Sequence, residues 1–303
     1  MRQLFILSMI TLLALATGCE QLTATVQAAS FLTRTPDLAN ADGMDPDLVA
    51  ALPLDDLSVK EGVGVFVGLA EKESATSTAA PIPIAGAGVE IAWETSQVLV
   101  CPIDEPDADG TYAATNLPTE TCGDPALAYV ESTKYITRIE TGTDLYTIEV
   151  IAPAGIDAAN VSFSPNLAPA ADFFGASLKR HSANTKLTVD WSADPASNER
   201  NSFLTVVRLN FNGGGNALDA GAWTVDANNP VFDNFPREPK EMMDLVLKQP
   251  VTSVVIPAAD FDTNGIYLIV LTPTELSTVV SSNLALGSGG LAGTGTAWIF
   301  LVD

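Results

Sequence analysis

Short segments rich in valine, isoleucine, tyrosine and threonine recur along this chain, and turn-forming residues separate them. Between residues 59 and 153 they are VGVFVGLA, AGVEIAW, GTYAATN, ALAYVEST, KYITRIE and LYTIEVIAP. Turn formers such as Asp109-Gly110 and Gly142-Thr143-Asp144 divide them. β-branched and aromatic segments with hardly any helical period predict β-strands. The chain is therefore expected to be all-β, with residues 59–153 forming a β-sandwich.

A second series of strand-like segments occupies residues 185–303. In KLTVDWS the large apolar residues Leu187, Val189 and Trp191 alternate with polar ones, so one face of this strand is expected to be buried. In GIYLIVL both faces are apolar, which predicts a central strand covered on each side. Several further strands complete a second sandwich domain. Residues 154–184 are predicted to be a linker or to supply a first strand.

The order of PIAGAGVEI, DGTY and DLYTIEVIAP in the first series resembles the carboxypeptidase-regulatory and immunoglobulin-like modules of exported bacterial proteins. In the second series, a tryptophan that ends an early strand and a Gly-x-Tyr that opens a late apolar strand resemble fibronectin-III and immunoglobulin-type sandwiches. The resemblance implies two tandem immunoglobulin-like β-sandwich domains. Its motifs are short and generic, so it implies a fold and no activity.

The N-terminus carries the pattern of an export signal. Arg2 precedes an apolar run from Leu4 to Ala16, which is too short to span a bilayer as a permanent helix of roughly 20 apolar residues. The run leads to ATGC, ending at Cys19, and this resembles the lipobox of bacterial lipoproteins. The resemblance implies that residues 1–18 are a signal peptide and that Cys19 is diacylated and becomes the mature N-terminus. The alternative is an ordinary secretory peptide with an incidental cysteine.

The residue after the cysteine bears on the destination, because lipoproteins retained at the inner membrane more typically carry aspartate there. Glu20 at this position implies the outer membrane, with the protein facing the periplasm or the cell surface. Residues 19–58 contain prolines, small residues and acids with little regular pattern. They are therefore predicted to be an acidic, lipidated tether.

The charge of the chain limits its partners. Removing Arg2 with the signal peptide leaves 13 basic residues against 37 acidic ones, and 13 − 37 gives a net charge of −24. Phosphates would be repelled, so nucleic acid is excluded as a partner. Such a charge suits either solubility alone or attraction of cations and basic partners. The expected partners are the membrane, reached through the lipid, and an unidentified protein or polysaccharide.

Cys101 and Cys122 remain once Cys19 is assigned to the lipobox. An even pair of cysteines in an exported protein predicts a disulfide bond, because the compartment is oxidising. The bridge would close a loop of about 20 residues and remove roughly 3 kcal/mol of unfolded-state entropy. A two-cysteine metal site is the competing interpretation, but no histidine or further thiol lies nearby in the sequence.

Residues suited to catalysis are few. His181 is the only histidine, and its neighbourhood, LKRHSANT, predicts a solvated loop. There is no Gly-x-Ser-x-Gly motif, and Ser288 lies in LGSGGLAG, which merely resembles one. No His-Glu-x-x-His zinc motif occurs. Carboxylates are abundant, but proximity in sequence selects no pair of them. The chain is therefore predicted not to be an enzyme.

Two acidic turns resemble calcium-binding loops. Asp260, Asp262 and Asn264 match the first half of an EF-hand loop, in which alternate oxygens converge on a hard cation. The twelfth position is Leu271, where a bidentate glutamate should stand, and a strand is expected to follow. A tight turn is therefore favoured over calcium. In a second cluster, which lies between the two cysteines, Asn116 stands where the closing glutamate belongs, so a solvated loop is favoured over calcium: Asp104, Glu105, Asp107 and Asp109.

These patterns predict a lipid-anchored, exported bacterial protein that acts as a non-enzymatic binding or structural module of the cell envelope. One alternative is an accessory lipoprotein that binds carbohydrate or peptidoglycan, marked by exposed aromatics such as Trp93 or Trp223, although burial is expected for both. The other is a hydrolase with an unrecognised carboxylate pair, which would require a cleft. Calcium apart, no cofactor is expected.

Overall fold

The computed structural model describes residues 24–35, 62–75, 77–94, 98–105, 108–114, 128–142, 144–169, 179–195, 201–209, 211–212, 224–225, 231–235, 251–263, 265–277, 279–285 and 288–302. Within these residues the backbone forms β-strands and two single-turn 3-10 helices, Ala158–Asn160 and Ala258–Asp260, and no α-helix. The all-β expectation is confirmed. The strands assemble into sheets in a sandwich-like arrangement.

The strands are numbered in chain order. They are β1 (Val26–Thr35), β2 (Gly62–Glu71), β3 (Ile82–Pro83), β4 (Gly88–Glu94), β5 (Val98–Ile103), β6 (Thr111–Ala114), β7 (Lys134–Thr141), β8 (Asp144–Ile151), β9 (Ser162–Ser164), β10 (Ala168–Pro169), β11 (Lys179–His181), β12 (Leu187–Asp190), β13 (Asn201–Leu209), β14 (Phe211–Asn212), β15 (Thr224–Val225), β16 (Val231–Phe235), β17 (Ser253–Ile256), β18 (Gly265–Leu276), β19 (Val279–Val280), β20 (Gly289–Thr294) and β21 (Thr296–Val302).

The chain divides into two compact units, and each is assembled from separate stretches of sequence. Among the described residues, unit 1 takes those up to Arg34 and those within Gly62–Ala154 and Glu275–Gly293. Unit 2 takes Thr35, those within Gly155–Thr274 and those from Thr294 onward. The sequence predicts two domains, residues 59–153 and 185–303, each formed by one continuous stretch of chain. The structure differs, because residues 265–302 contribute strands to both units.

Unit 1 has two layers of strands. One is the sheet β19-β8-β7-β4-β5, in which neighbouring strands are antiparallel. The other contains β20-β1-β2, and β2 pairs further with β3 and β6. Ser30 of β1 and Thr137 of β7 are both buried, and their hydroxyl oxygens lie 2.6 Å apart. This hydrogen bond satisfies the two hydroxyl groups inside an otherwise apolar core.

The first strand lies inside the region expected to be a tether. β1 falls within residues 19–58, and its residues from Gln27 to Leu32 are all buried in unit 1. The tether expectation therefore does not hold for Val26–Thr35. The sequence does not predict this strand, because its small residues are only weakly hydrophobic and are buried by neighbouring strands. Apart from Ala24 and Thr25, the rest of the expected tether, like the signal peptide, lies outside the described residues.

Unit 2 also has two layers. The smaller is β17-β12-β9, and the larger runs β10-β11-β21-β18-β13-β16, while β14 and β15 pair separately. The alternation expected at β12 is confirmed, since Leu187, Val189 and Trp191 are completely buried. β18 lies between β13 and β21, as expected for a strand with two apolar faces. Trp298 of β21 meets Phe163 of β9 edge to face across the core.

Residues 154–184, expected to be a linker or a first strand, contribute several strands. They contain β9, β10 and β11, and β11 pairs in parallel with β21. The strand alternative therefore fits the described part of this stretch, whereas residues 170–178 lie outside it.

Candidate functional site

One carboxylate holds the acidic loop between β5 and β6 together. Glu105 Oε2 accepts a hydrogen bond from the backbone N–H of Gly86 (2.6 Å), and Oε1 accepts one from the N–H of Gly110 (2.7 Å). Both glycines have positive φ angles, 74° and 75°. A Cβ atom on Gly110 would lie 2.7 Å from the carbonyl oxygen of Leu69, so this position requires glycine. We call Gly86, Glu105 and Gly110 the Glu105 clasp.

Tyr112 continues the clasp into the core of unit 1. Its hydroxyl donates to the carbonyl oxygen of Ile84 (3.1 Å) and accepts from the N–H of Ala87 (2.8 Å). Burial, assisted by the nearby Glu105 charge, raises the pKa of Tyr112 above its ordinary value. The phenol therefore stays protonated at neutral pH and keeps donating to the loop that carries Gly86.

Two members of the acidic cluster between the cysteines, Glu105 and Asp109, therefore hold the local backbone through hydrogen bonds. Asp109 Oδ1 accepts from the N–H of Thr111 (2.9 Å), and Asp104 is exposed. Asp107 lies outside the described residues. No sequence signal separates Glu105 from its acidic neighbours, because its partner Gly86 belongs to a loop 19 residues earlier. The expected solvated loop fits the exposed Asp104, whereas the carboxylates of Glu105 and Asp109 accept hydrogen bonds from backbone N–H groups.

The half EF-hand motif forms a turn that leads into β18. Asp260 ends a 3-10 helix, Asp262 is exposed, and Asn264 lies outside the described residues. The Tyr267 hydroxyl accepts from the Asp262 N–H (2.8 Å) and donates to the Asp260 carbonyl oxygen (3.3 Å). In the described part of the chain, no three carboxylate, imidazole or thiol groups lie close enough to hold a metal ion.

Calcium should therefore stabilise the protein no more than magnesium does. A specific site of extracellular-type affinity, about 10⁻³ M, would add roughly 1.4 kcal/mol at a tenfold excess of calcium. Screening of so acidic a chain stabilises it with either ion. Thermal unfolding in equal calcium and magnesium, for wild type and Asp262→Ala, compares the two effects. A calcium-specific shift that disappears in the variant would establish a site.

The arrangement at Tyr267 recurs in unit 1 at Tyr135. The Tyr135 hydroxyl accepts from the N–H of Val130, five residues upstream, and donates to the carbonyl oxygen of Ala128, seven residues upstream. Tyr267 has the same spacing to Asp262 and Asp260. Burial raises the pKa of Tyr135 to about 12. In each unit, therefore, a buried tyrosine hydroxyl holds the loop that precedes a core strand. The turn at Asp260 and Asp262 thus has a structural role.

His181 does not lie in a solvated loop, and that expectation is wrong. The residue is on β11, is 3% exposed, and packs edge-on against Phe261, with 4.7 Å between ring centroids. Its Nε2 lies 2.8 Å from the carbonyl oxygen of Thr185, so this nitrogen carries the proton and donates. Phe261 and a second ring neighbour, Phe300, are distant in sequence, so the local sequence does not reveal the burial. The imidazole packs in the core of unit 2.

Ser288 and Trp93 also belong to the core. Ser288 is 1% exposed, and its Oγ accepts from the N–H of Ala28 (3.1 Å). Trp93 is 3% exposed and stacks on Tyr135, with 6.1 Å between ring centroids. Burial of Trp93 agrees with the expectation and removes it as a surface for a sugar ring. Trp223 lies outside the described residues.

Two of the three cysteines lie outside the described residues. Cys101 is completely buried in β5, whereas Cys19 and Cys122 are among those not described. The Cys101–Cys122 bridge and the lipidation of Cys19 therefore stay predictions. In the described part of the chain, no helix is long and apolar enough to cross a bilayer.

The cysteine pairing has a direct test. Peptide mapping of the native protein without reductant should recover Cys101 and Cys122 in one linked peptide, because the export predicted from the N-terminal pattern leads to an oxidising compartment. Reduction before digestion is the control and should release the two peptides separately. Full alkylation of both thiols in unfolded but unreduced protein would contradict the bridge.

Comparison with known proteins adds no family. No protein-family model matches the chain, and no curated protein matches it. Among solved structures, the chain is similar to the native conformation of alpha-2-macroglobulin from E. coli, with 12% sequence identity and a TM-score of 0.21. The match covers 91% of this chain and 14% of that one, so the chain spans a small part of that protein. At this TM-score the similarity carries no argument about fold or function.

Proposed function

We propose that this chain is a lipid-anchored, exported bacterial protein and a non-enzymatic binding or structural module of the cell envelope. The observation that carries the proposal is the N-terminal pattern of one basic residue, a short apolar run and Cys19 behind small residues. Acyl chains on that cysteine would contribute about 0.8 kcal/mol per buried CH₂, which makes two or more chains a stable anchor. Glu20 favours the outer membrane.

The non-enzymatic part of the proposal is supported by how the described polar residues are used. His181 donates to a backbone carbonyl inside an aromatic cluster, and Ser288 accepts a backbone N–H. Glu105 accepts two backbone N–H groups. A nucleophile or general base needs access to substrate, and these three side chains are engaged in the fold instead.

The proposed partner is a protein or polysaccharide of the envelope. The net charge of the full chain, −23, favours a partner that presents positive charge and disfavours nucleic acid. Burial of Trp93 removes one of the two tryptophans considered for stacking on a sugar, since stacking needs an exposed ring.

Replacing Cys19 with serine should abolish incorporation of labelled fatty acid, because only the cysteine sulfur can carry the thioether lipid. The precursor should remain uncleaved or be mislocalised. Metabolic labelling and membrane fractionation of the full chain measure both effects. Unchanged labelling and fractionation in this variant would remove the lipoprotein proposal.

A matched control addresses the destination. The variant Glu20→Asp keeps the cysteine and the charge, so lipid labelling should be unchanged. By the sorting pattern of the lipoprotein family, the variant should move toward the inner-membrane fraction. Loss of labelling in Glu20→Asp would show that labelling reports general damage to the signal rather than the cysteine itself.

A further inference from the structure

The position of β1 places the proposed anchor close to the folded protein. β1 begins at Val26, and Thr25 before it is already fixed by hydrogen bonds. Only six residue steps separate Cys19 from Thr25. A chain spans at most about 3.3–3.6 Å per residue, so this distance cannot exceed roughly 20 Å in any conformation. The expected tether of 40 residues would have allowed several times this distance.

Several elements of unit 1 meet at the end of the unit where Thr25 lies. Its carbonyl oxygen accepts from the N–H of Lys72 (2.9 Å), and its hydroxyl donates to Glu71 (3.1 Å), so β2 ends where β1 begins. β3 pairs with this same end of β2, at Ala70 and Glu71. The turn between β2 and β3, which contains the exposed Thr78, therefore lies at this end as well.

The Glu105 clasp lies at the same end. The N–H of Leu69 donates to the carbonyl oxygen of Gly110, and the N–H of Ile84 donates to that of Leu69. Leu69 precedes the end of β2 by two residues. The clasp therefore joins the loops next to Thr25. We call Thr25, Glu71, Lys72, the β2–β3 turn and the Glu105 clasp the anchor end of unit 1.

The opposite end of unit 1 is defined by the start of β7. β7 runs from Lys134, beside Ile151, to Glu140, which pairs with Gly88. Gly88 directly follows Ala87, whose N–H is bound to Tyr112 close to the clasp. Val130 stands before β7, and it is 38% exposed. The length of β7, about 25 Å for eight residues, therefore separates Val130 from the anchor end.

From these distances we infer that the anchor end of unit 1 faces the lipid surface, and that the Val130 end points away from it. The inference rests on the proposed lipidation of Cys19. The linker is no longer than the unit it carries, so Thr25 stays within roughly 20 Å of the lipid, whereas the Val130 end reaches the bilayer only if the unit lies on its side or inverts. The anchor end bears Glu71, Glu105 and Asp109, and Ile82, which pairs with Glu71 there, is 69% exposed, so this end offers an apolar side chain as well as carboxylates to the lipid surface.

Energy transfer to labelled lipid tests the orientation. The lipidated full chain is prepared as Thr78→Cys or Val130→Cys, labelled with a donor dye, and bound to phosphatidylcholine vesicles containing a rhodamine lipid. Neutral lipid is chosen so that the charge of the protein does not decide the result. Transfer from position 78 should exceed that from position 130 at least about twofold, given the roughly 25 Å between the two ends.

The outcomes separate this inference from the proposal on which it rests. Flotation with the vesicles, and the mass of the N-terminal peptide, report the anchor independently of the dyes. Flotation with equal or reversed transfer overturns the orientation alone. A protein that neither floats nor carries lipid overturns the anchor and the orientation with it. The unlipidated protein that begins at Glu20, which lacks both the apolar run and the lipid, should show no transfer from either dye position.

Discussion

Replacing Trp191 with alanine is expected to lower the free energy of unfolding of unit 2 by about 3–5 kcal/mol. Trp191 is completely buried and is among the largest fully buried side chains described, and it lies in the cluster formed by β12, β13, β18 and β21. Truncation would remove the apolar burial and leave a cavity that the neighbouring strands can only partly close. Guanidinium unfolding followed by far-UV circular dichroism measures the change.

The variant Trp191→Phe separates packing from hydrogen bonding at this position. The indole Nε1 has no hydrogen-bond partner among the described residues, although it is buried. Phenylalanine therefore loses volume and no hydrogen bond, and the expected cost is about 1–2 kcal/mol. If Trp191→Phe destabilised unit 2 as much as Trp191→Ala, the nitrogen would have to be bonded, and packing would not be the main contribution.

Replacing Glu105 with alanine is expected to destabilise unit 1 by about 2–4 kcal/mol. Hydrogen bonds to charged groups contribute about 1.5–3 kcal/mol each, and partial exposure of Glu105 reduces that contribution. The variant would leave two N–H groups without their acceptor, and Gly110 is buried. The same unfolding experiment measures the loss, which should appear in the transition of unit 1.

Two controls distinguish the hydrogen bonds of Glu105 from its charge. Asp104→Ala removes an adjacent exposed carboxylate and should change stability little, or raise it slightly by reducing repulsion. Glu105→Gln keeps one carbonyl oxygen as acceptor and should cost about half as much as Glu105→Ala. Equal losses in Asp104→Ala and Glu105→Ala would assign the effect to charge and contradict the clasp.

The strands predicted correctly from the sequence are those that contribute large apolar side chains of their own to the core. In β12 the alternation of Leu187, Val189 and Trp191 predicts one buried face, and all three are buried. In β18 the continuous apolar run predicts a central strand, and it has β13 and β21 on either side. Large apolar side chains at period two carry this information within a few residues, so no distant partner is needed to interpret them.

The strands that the sequence does not predict are rich in small residues. β20 has the sequence GGLAGT and is buried throughout, yet its glycines suggest a loop. A Cβ atom on Gly290 would stand 2.6 Å from Val150 and 2.7 Å from Ile148, so the strand is specified by how closely its neighbours approach. β1 is missed because the small residues Ala28, Ala29 and Ser30 stand in its middle and are buried by neighbouring strands. His181 and Glu105 depend likewise on distant partners, which a single sequence does not reveal.

The order of strands in unit 1 has a consequence for when this unit can fold. β20 joins β1 in one sheet, but the whole of Gly155–Thr274 lies between the two halves of unit 1. Synthesis proceeds from the N-terminus, so unit 1 cannot close its core until nearly the entire polypeptide has been made. Contacts so distant in sequence also form slowly. Unit 1 therefore completes its core only after Glu275–Gly293 has been synthesised, late in the production of the chain.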